Sequence, residues 1–74
     1  MMSNADMIIA NTVKTIVKNS ELKQRAIAER CGYTEKQFSS VINGRKLITA
    51  EDIVKLCNGL GITPNELCGF DESA

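Results

Sequence analysis

Three short segments of the sequence carry the signals that start a helix. In two of them a threonine is followed three residues later by a residue that completes a capping box: Thr34 with Gln37, and Thr63 with Glu66. Pro64 adds to the second signal, because a proline at the first helical position has no N–H group to leave unpaired. Thr49, followed by Ala-Glu-Asp, resembles a third capped start. Starts this closely spaced limit the chain to short helices.

Apolar residues between these signals repeat at helical spacing, and no stretch alternates as a strand would. A first helix, capped by Ser3 or Asn4, should end near residues 19–20, the third at Asn43-Gly44 and the fourth at Gly61. The inward positions of these helices are Ile9, Val13, Ile16 and Val17; Phe38, Val41 and Ile42; and Ile53, Leu56, Cys57 and Leu60. The predicted fold class is all-α, with five short helices around one core. We expect one domain over residues 1–74, with its core at about 5–70 and frayed residues at the N-terminus and at 71–74.

A chain of 74 residues offers little room for an enzyme cleft beside its core, so we do not expect an enzyme. It has no histidine, and Cys31, Cys57 and Cys68 are widely spaced, so we expect no metal site and no cofactor. The cysteines are interpreted as small apolar side chains in a reducing compartment. Neither a signal peptide nor a membrane-spanning apolar run is found, which predicts a cytoplasmic protein with no membrane partner.

The charges are unevenly distributed although their sum is zero. Residues 14–46 contain eight basic and three acidic side chains, whereas residues 47–74 contain five acids and one base, Lys55. Such an asymmetry produces a directional field that favours an anionic partner at one end of the molecule. A solvated surface of mixed charge is the alternative. In the second half, Glu51 and Asp52 are interpreted as charges favoured by a helix N-terminus.

The segment from Gln24 to Asn43 has the spacing of two helices that cross at a tight corner. Ala28 allows close approach, Gly32 suits the left-handed residue that ends a helix, and the next helix starts at Thr34. This combination is typical of a helix-turn-helix. With the inward positions removed, the second of these helices presents mainly short polar side chains: Glu35, Lys36, Ser39, Ser40 and Asn43. Such a face fits a DNA major groove, but an ordinary solvated face would have the same composition.

Two stretches, "LKQRAIAERCGYTEKQFSSVINGRK" and "TAEDIVKLCNGLGITPNELCGF", resemble the lambda-repressor-like (XRE, Cro/repressor-type) helix-turn-helix family. The shared features are the glutamine that opens the second helix, the Ala and Gly at the crossing, the Asn-Gly junction, and the "LGI" and "TPNEL" segments. The resemblance covers roughly residues 8–70. One departure is Lys23, which stands where the family usually has a Ser or Thr cap, so a longer second helix capped by Ser20 is an alternative.

The resemblance implies double-stranded DNA as the partner, with a recognition helix at about residues 34–43 in the major groove. The family's DNA-facing positions correspond here to Gln24, Thr34, Glu35, Lys36, Ser39, Ser40, Asn43, Arg45 and Lys46. Gln24 would contact a phosphate and brace a side chain of the recognition helix, and the Asn43–Lys46 loop would grip the backbone. Glu35 suits cytosine N4 and Lys36 suits guanine O6 or N7. The alternatives are a phosphate contact for Lys36 and a dipole-stabilising role for Glu35.

The resemblance also implies a homodimer, because a neutral monomer should bind DNA weakly. The candidate dimer interface is Ile62, Leu67 and Phe70, with Ile48 as an additional residue; Leu67 and Phe70 would alternatively cover the monomer core. The predicted function is a sequence-specific transcriptional regulator that binds an inverted repeat. An antitoxin-type regulator with a toxin or antirepressor as protein partner remains open. So does an interaction module that keeps the fold without DNA binding.

Overall fold

The computed structural model describes residues 4–69, which form five α-helices and no strand. The helices are α1 (Asn4–Asn19), α2 (Gln24–Arg30), α3 (Glu35–Ile42), α4 (Ala50–Leu60) and α5 (Pro64–Leu67). The all-α prediction is therefore confirmed. The expectations for Ser3, for Phe70 and for frayed ends concern positions outside the described residues. No helix within residues 4–69 is long and apolar enough to cross a membrane.

The three threonine starts all form complete capping boxes. Thr34 Oγ1 accepts a hydrogen bond from the Gln37 N–H (3.1 Å), and the Gln37 side chain accepts one from the Thr34 N–H (2.9 Å). The same reciprocal pair is present at the start of α4 and at the start of α5. Two of the free N–H groups of each helix are thereby satisfied, which is why these short helices begin where the sequence predicted.

The start of α2 follows the shorter of the two alternatives. Lys23 is its N-cap and makes no side-chain capping bond. Ser20 Oγ instead accepts a hydrogen bond from the Leu22 N–H (3.0 Å), so it closes the preceding turn and does not extend the helix. A helix of seven residues without a cap is not stable alone, and α2 therefore depends on its packing against α3 and α4.

The core receives a side chain from every helix. Val13 of α1, Ala28 of α2, Phe38 of α3, Leu56 of α4 and Leu67 of α5 are all fully buried. The predicted inward positions are confirmed for α3, and those of α4 lie in the core or against it. In α1, Ile9 and Val13 are buried while Ile16 and Val17 are half-buried. The helix-turn-helix is thus held from behind by α1, which packs against α3, and by α4, which packs against α2.

Gly59, the penultimate residue of α4, permits a very close approach of α2 to α4. A Cβ atom at this position would lie 2.7 Å from Cys31 Cα and 2.8 Å from Cys31 N. These are backbone atoms, which cannot move aside as the end of a flexible side chain can. Sequence analysis assigned no role to Gly59, because a glycine inside a helical pattern does not reveal which other helix crosses it. The orientation of α2 depends on this contact.

Candidate nucleic-acid interface

The outer face of α3 is a polar stripe directed away from the core. Phe38, Val41 and Ile42 fasten the opposite side of the helix, so its orientation is set by packing. Lys36, Ser39, Ser40 and Asn43 follow one another at the three- and four-residue spacing that places side chains on one side of a helix. Lys36 and Asn43 are exposed, whereas Ser39 and Ser40 are half-buried. The structure therefore brings these four predicted site residues together in one stripe.

Hydrogen bonds within the stripe restrict what each member can offer to a partner. Asn43 Nδ2 donates to the Ser39 carbonyl (2.8 Å) and to Ser39 Oγ (3.2 Å), so the two predicted flanking residues hold each other. Ser40 Oγ donates to the Lys36 carbonyl (3.4 Å). The amide oxygen of Asn43 and the ammonium group of Lys36 have no partner within residues 4–69. Both groups are therefore open to a partner, as is the hydroxyl hydrogen of Ser39, whose oxygen only accepts.

The first turn of α3 contributes the exposed side chains of Thr34, Glu35 and Gln37. The hydroxyl of Thr34 is already used as the helix cap. Gln37 was interpreted from the sequence only as a capping residue, but it is also exposed and only its Oε1 takes part in the cap. Its NH₂ group remains a donor next to the stripe. The helical spacing of Gln37 from Thr34 and Ser40 was the signal that would have identified it.

Gln24 is the first residue of α2 and is half-buried. Within residues 4–69 its side chain makes no hydrogen bond to α3, so the bracing that the resemblance implied is not formed in the protein alone. Its place at a helix N-terminus leaves unpaired N–H groups of α2 nearby. Gln24 therefore stays a candidate for a phosphate contact.

The loop between α3 and α4, residues 43–49, is fastened at both of its ends. The Arg45 N–H donates to the Ser40 carbonyl (2.9 Å), which ties the start of the loop to α3. The Ile48 N–H donates to Asp6 Oδ1 of α1 (3.0 Å). Sequence analysis gave Asp6 no contact of this kind, since the two residues are far apart in the chain. The loop is consequently held in one position beside the polar stripe.

A buried carboxylate organises the residues behind this loop. Asp52 accepts hydrogen bonds from the Tyr33 hydroxyl (2.6 Å), the Lys46 ammonium (2.6 Å) and the Thr49 N–H (2.9 Å). Burial by itself raises the pKa of Asp52, but these hydrogen bonds outweigh it and hold the pKa well below its usual range. Burial and the bond to Asp52 raise the pKa of Tyr33. The interpretation of Asp52 as a charge near a helix N-terminus was therefore incomplete, because its side chain also joins three separate segments.

An open groove of about 740 Å³ lies between α3 and the start of α4. Gln37 and Ser40 line it from α3, while the cations Arg45, Lys46 and Lys55 line it from the loop and α4. The Lys55 ammonium lies 4.8 Å from the centre of the Tyr33 ring, a cation–π distance. Sequence analysis did not select Lys55, since it is the only base of the acidic half. The fold alone brings it into the same groove as Arg45 and Lys46.

The predicted dimer residues differ in their availability. Leu67 is fully buried in the core, so its side chain is not available to a partner chain, and the alternative of core coverage holds for it. Ile62 and Ile48 are half-buried and pack against the core. Phe70 lies outside the described residues. Val54 of α4, which sequence analysis did not select, is 59% exposed.

Comparison with known protein families finds that residues 9–68 match a family described as a helix-turn-helix domain. Comparison with curated proteins finds no match. Among solved structures, the restriction-modification controller protein C.AhdI from Aeromonas hydrophila is similar, with a TM-score of 0.74 and 22% identity. That match covers 84% of this chain and 94% of the other.

Two further solved structures share the fold. The hypothetical transcription factor NHTF from Neisseria gives a TM-score of 0.77 at 23% identity, covering 88% of this chain and 75% of the other. The SOS-response transcriptional repressor LexA from Eubacterium rectale gives 0.80 at 16% identity, covering 100% and 79%. At these identities the similarities establish the arrangement of the helices only. They do not identify the residues that contact a partner.

Proposed function

This chain belongs to the helix-turn-helix domain family, and on that basis we propose that it is a sequence-specific, double-stranded-DNA-binding regulator of transcription. Helix-turn-helix regulators of transcription are not enzymes, which agrees with the prediction from the sequence. Three proteins with similar structures are described as a controller protein, a transcription factor and a transcriptional repressor. The proposed mode of binding places α3 in the major groove.

The observation that carries this proposal is the polar stripe on α3. The helix is anchored by three buried side chains on one side and presents Lys36, Ser39, Ser40 and Asn43 on the other. Serine and asparagine side chains are short enough to let the helix enter a groove about 12 Å wide, and they donate or accept hydrogen bonds to base edges. In this arrangement Glu35 and Lys36, in the first turn, read bases, and Asn43 offers its free amide oxygen.

Contacts with the DNA backbone would come from the residues that flank the stripe. Gln24 lies at the N-terminus of α2, and Arg45 lies in the loop that follows α3. Both positions match those at which helix-turn-helix proteins are expected to contact phosphates on either side of the recognition helix. Arg45, Lys46 and Lys55 line the groove next to α3 together with Glu51 and Asp52, so the groove has a small excess of positive charge although the net charge of the chain is zero.

We propose further that the protein binds as a homodimer on an inverted repeat. A neutral domain releases few counterions, so a single copy should bind weakly, and two linked half-sites compensate for that. Since Leu67 is buried, the candidate interface is reduced to Ile62 and Phe70, with Ile48 and the exposed Val54 as additional residues. Half-sites would lie about 34–36 Å apart, one turn of the duplex.

The test is selection of duplexes from a random pool by the purified protein, at low and at physiological salt. Enrichment of an inverted repeat with half-sites one turn apart is the expected result. The selection is repeated with Lys36→Ala, which removes one reading side chain from an exposed position and should alter the enriched sequence. Absence of any enrichment at both salt concentrations would refute the proposed function. An interaction module, or an antitoxin-type regulator that needs its partner, would then be the better explanation.

A further inference from the structure

The two neighbouring cations of the α3–α4 loop have different surroundings. Arg45 is exposed, and within residues 4–69 its guanidinium forms no ion pair. Lys46 is 37% exposed, and its ammonium lies 2.6 Å from Asp52 Oδ2. The Asp52 side chain is only 6% exposed. From the sequence alone both residues were expected to grip the DNA backbone, since nothing in "NGRK" distinguishes them.

The ion pair is costly to break because one of its partners is buried. If Lys46 moved to a DNA phosphate, the Asp52 carboxylate would lose the one cation that pairs with it among residues 4–69, while still excluded from water. The new contact would form at the surface, where solvent and salt weaken it. The exchange is therefore unfavourable, and Lys46 is retained by the protein.

The same carboxylate connects three parts of the fold. Tyr33 lies in the turn between α2 and α3, Lys46 lies in the loop after α3, and Thr49 caps α4. A second bond supports the loop, since the Lys46 ammonium also donates to the Leu47 carbonyl (3.3 Å). These contacts hold the loop against α4, and Arg45 occupies a fixed place next to Ser40 as a result.

We propose that Asp52 is a positioning residue that reserves Lys46 as a latch for the α3–α4 loop, so that Arg45 is the cation of this loop that binds DNA phosphate. The inference rests on the proposed DNA-binding function. It assigns two adjacent basic residues to separate tasks: Lys46 stabilises the loop, and Arg45 contributes to the salt dependence of binding.

The experiment compares Arg45→Gln with Lys46→Gln. Both substitutions remove one positive charge, and they affect neighbouring positions of the same loop. For each variant the melting temperature is measured, and DNA affinity is measured over a range of salt concentrations. We expect Arg45→Gln to have the melting temperature of the wild type. It should lower the slope of log affinity against log salt by about 0.9, the effect of one phosphate contact. We expect Lys46→Gln to melt at a lower temperature with an unchanged slope.

Two further variants keep the test decisive if Lys46→Gln is too unstable to bind. Tyr33→Phe removes one hydrogen bond to Asp52 without a change of charge, so it should lower the melting temperature and leave the slope unchanged. Lys46→Arg retains the charge and should restore most of the stability lost in Lys46→Gln. Both variants have the same net charge as the wild type.

The outcomes separate this inference from the proposed function. A slope lowered by about 0.9 in Lys46→Gln would show that Lys46 binds phosphate and would overturn the inference. An unchanged slope in Arg45→Gln would overturn it as well. If the wild type binds no duplex even at low salt, the proposed function fails and so does the role of Arg45. In that case the melting temperatures still test whether Lys46 stabilises the α3–α4 loop, and equal values for Lys46→Gln and Arg45→Gln would refute that role.

Discussion

Replacing Gly59 by alanine tests whether the close crossing of α2 and α4 sets the geometry of the helix-turn-helix. The added Cβ would lie 2.7 Å from Cys31 Cα and 2.8 Å from Cys31 N. Carbon atoms in contact are normally about 3.5–4.0 Å apart, so the two helices must separate by roughly 1 Å. Because the obstructing atoms belong to the backbone, no side-chain rotation relieves the contact.

The expected cost follows from two opposing contributions. Overpacking of this kind destabilises a core by about 1–3 kcal/mol, and a backbone clash belongs at the upper end of that range. Alanine gains about 1 kcal/mol over glycine inside a helix, which offsets part of the loss. The net expectation is about 2 kcal/mol of destabilisation. For a domain of this size each kcal/mol lowers the melting temperature by about 4–8 °C, so a decrease of about 8–16 °C is expected.

Thermal and urea unfolding followed by circular dichroism measure this effect. Asn58→Ala is the matched control, since Asn58 is exposed, lies next to Gly59 on α4 and loses no core contact. Its stability should stay the same or rise slightly, because alanine favours helix. A Gly59→Ala protein as stable as the wild type would show that α2 and α4 do not constrain each other at this crossing. DNA affinity should fall in Gly59→Ala and not in Asn58→Ala, because only the former displaces α2.

Four further outcomes are expected. Glu35→Ala should change the base preferred in duplex selection, and an unaltered preferred sequence would leave Glu35 only its place in the first turn of α3. Thr34→Ala removes the cap of α3 and should cost about 1 kcal/mol in urea unfolding, whereas an unchanged midpoint would show that the capping box contributes nothing. The folded-state pKa of Asp52 lies below its ordinary value of 3.8, so the ionised carboxylate stabilises the fold above that pH and loses this effect as the pH falls further. In acid unfolding followed by circular dichroism, the free energy of unfolding should therefore decrease more steeply below about pH 4. Asp52→Asn should remove this part of the pH dependence. Phe70→Asp should weaken self-association more than folding, and sedimentation that finds the same oligomer in both proteins would exclude Phe70 from the interface.

The sequence predicted the local elements well because their determinants are local. Each capping box at Thr34, Thr49 and Thr63 spans four residues, and every partner lies within one turn of the chain. Apolar spacing in the same way identified the buried face of α3. The polar stripe of the candidate interface follows from that spacing, since the residues that do not face the core must face solvent.

Contacts between distant segments were beyond such reasoning. Asp52 was interpreted from its own helix, yet its partners Tyr33 and Lys46 come from a preceding turn and loop. The sequence shows Gly59 only as a glycine within a helix, and its contact with the backbone of Cys31 appears only in the structure. Leu67 was a candidate for a partner chain, and only the packing of α5 against the other helices shows that the monomer already buries it.

The sequence by itself therefore determined the number of helices, the starts of α3, α4 and α5, the helix-turn-helix and the residues that α3 presents to solvent, because each depends on neighbours within a turn or two. The start of α2, which has no capping side chain, was settled only by the structure. Only the tertiary structure decided which charges are free. Arg45 and Lys46 are adjacent and chemically alike, and a single buried carboxylate six residues after Lys46 separates their roles. Burial of a group and the identity of its partner are properties of the whole fold, and the pattern of residues along the chain does not contain them.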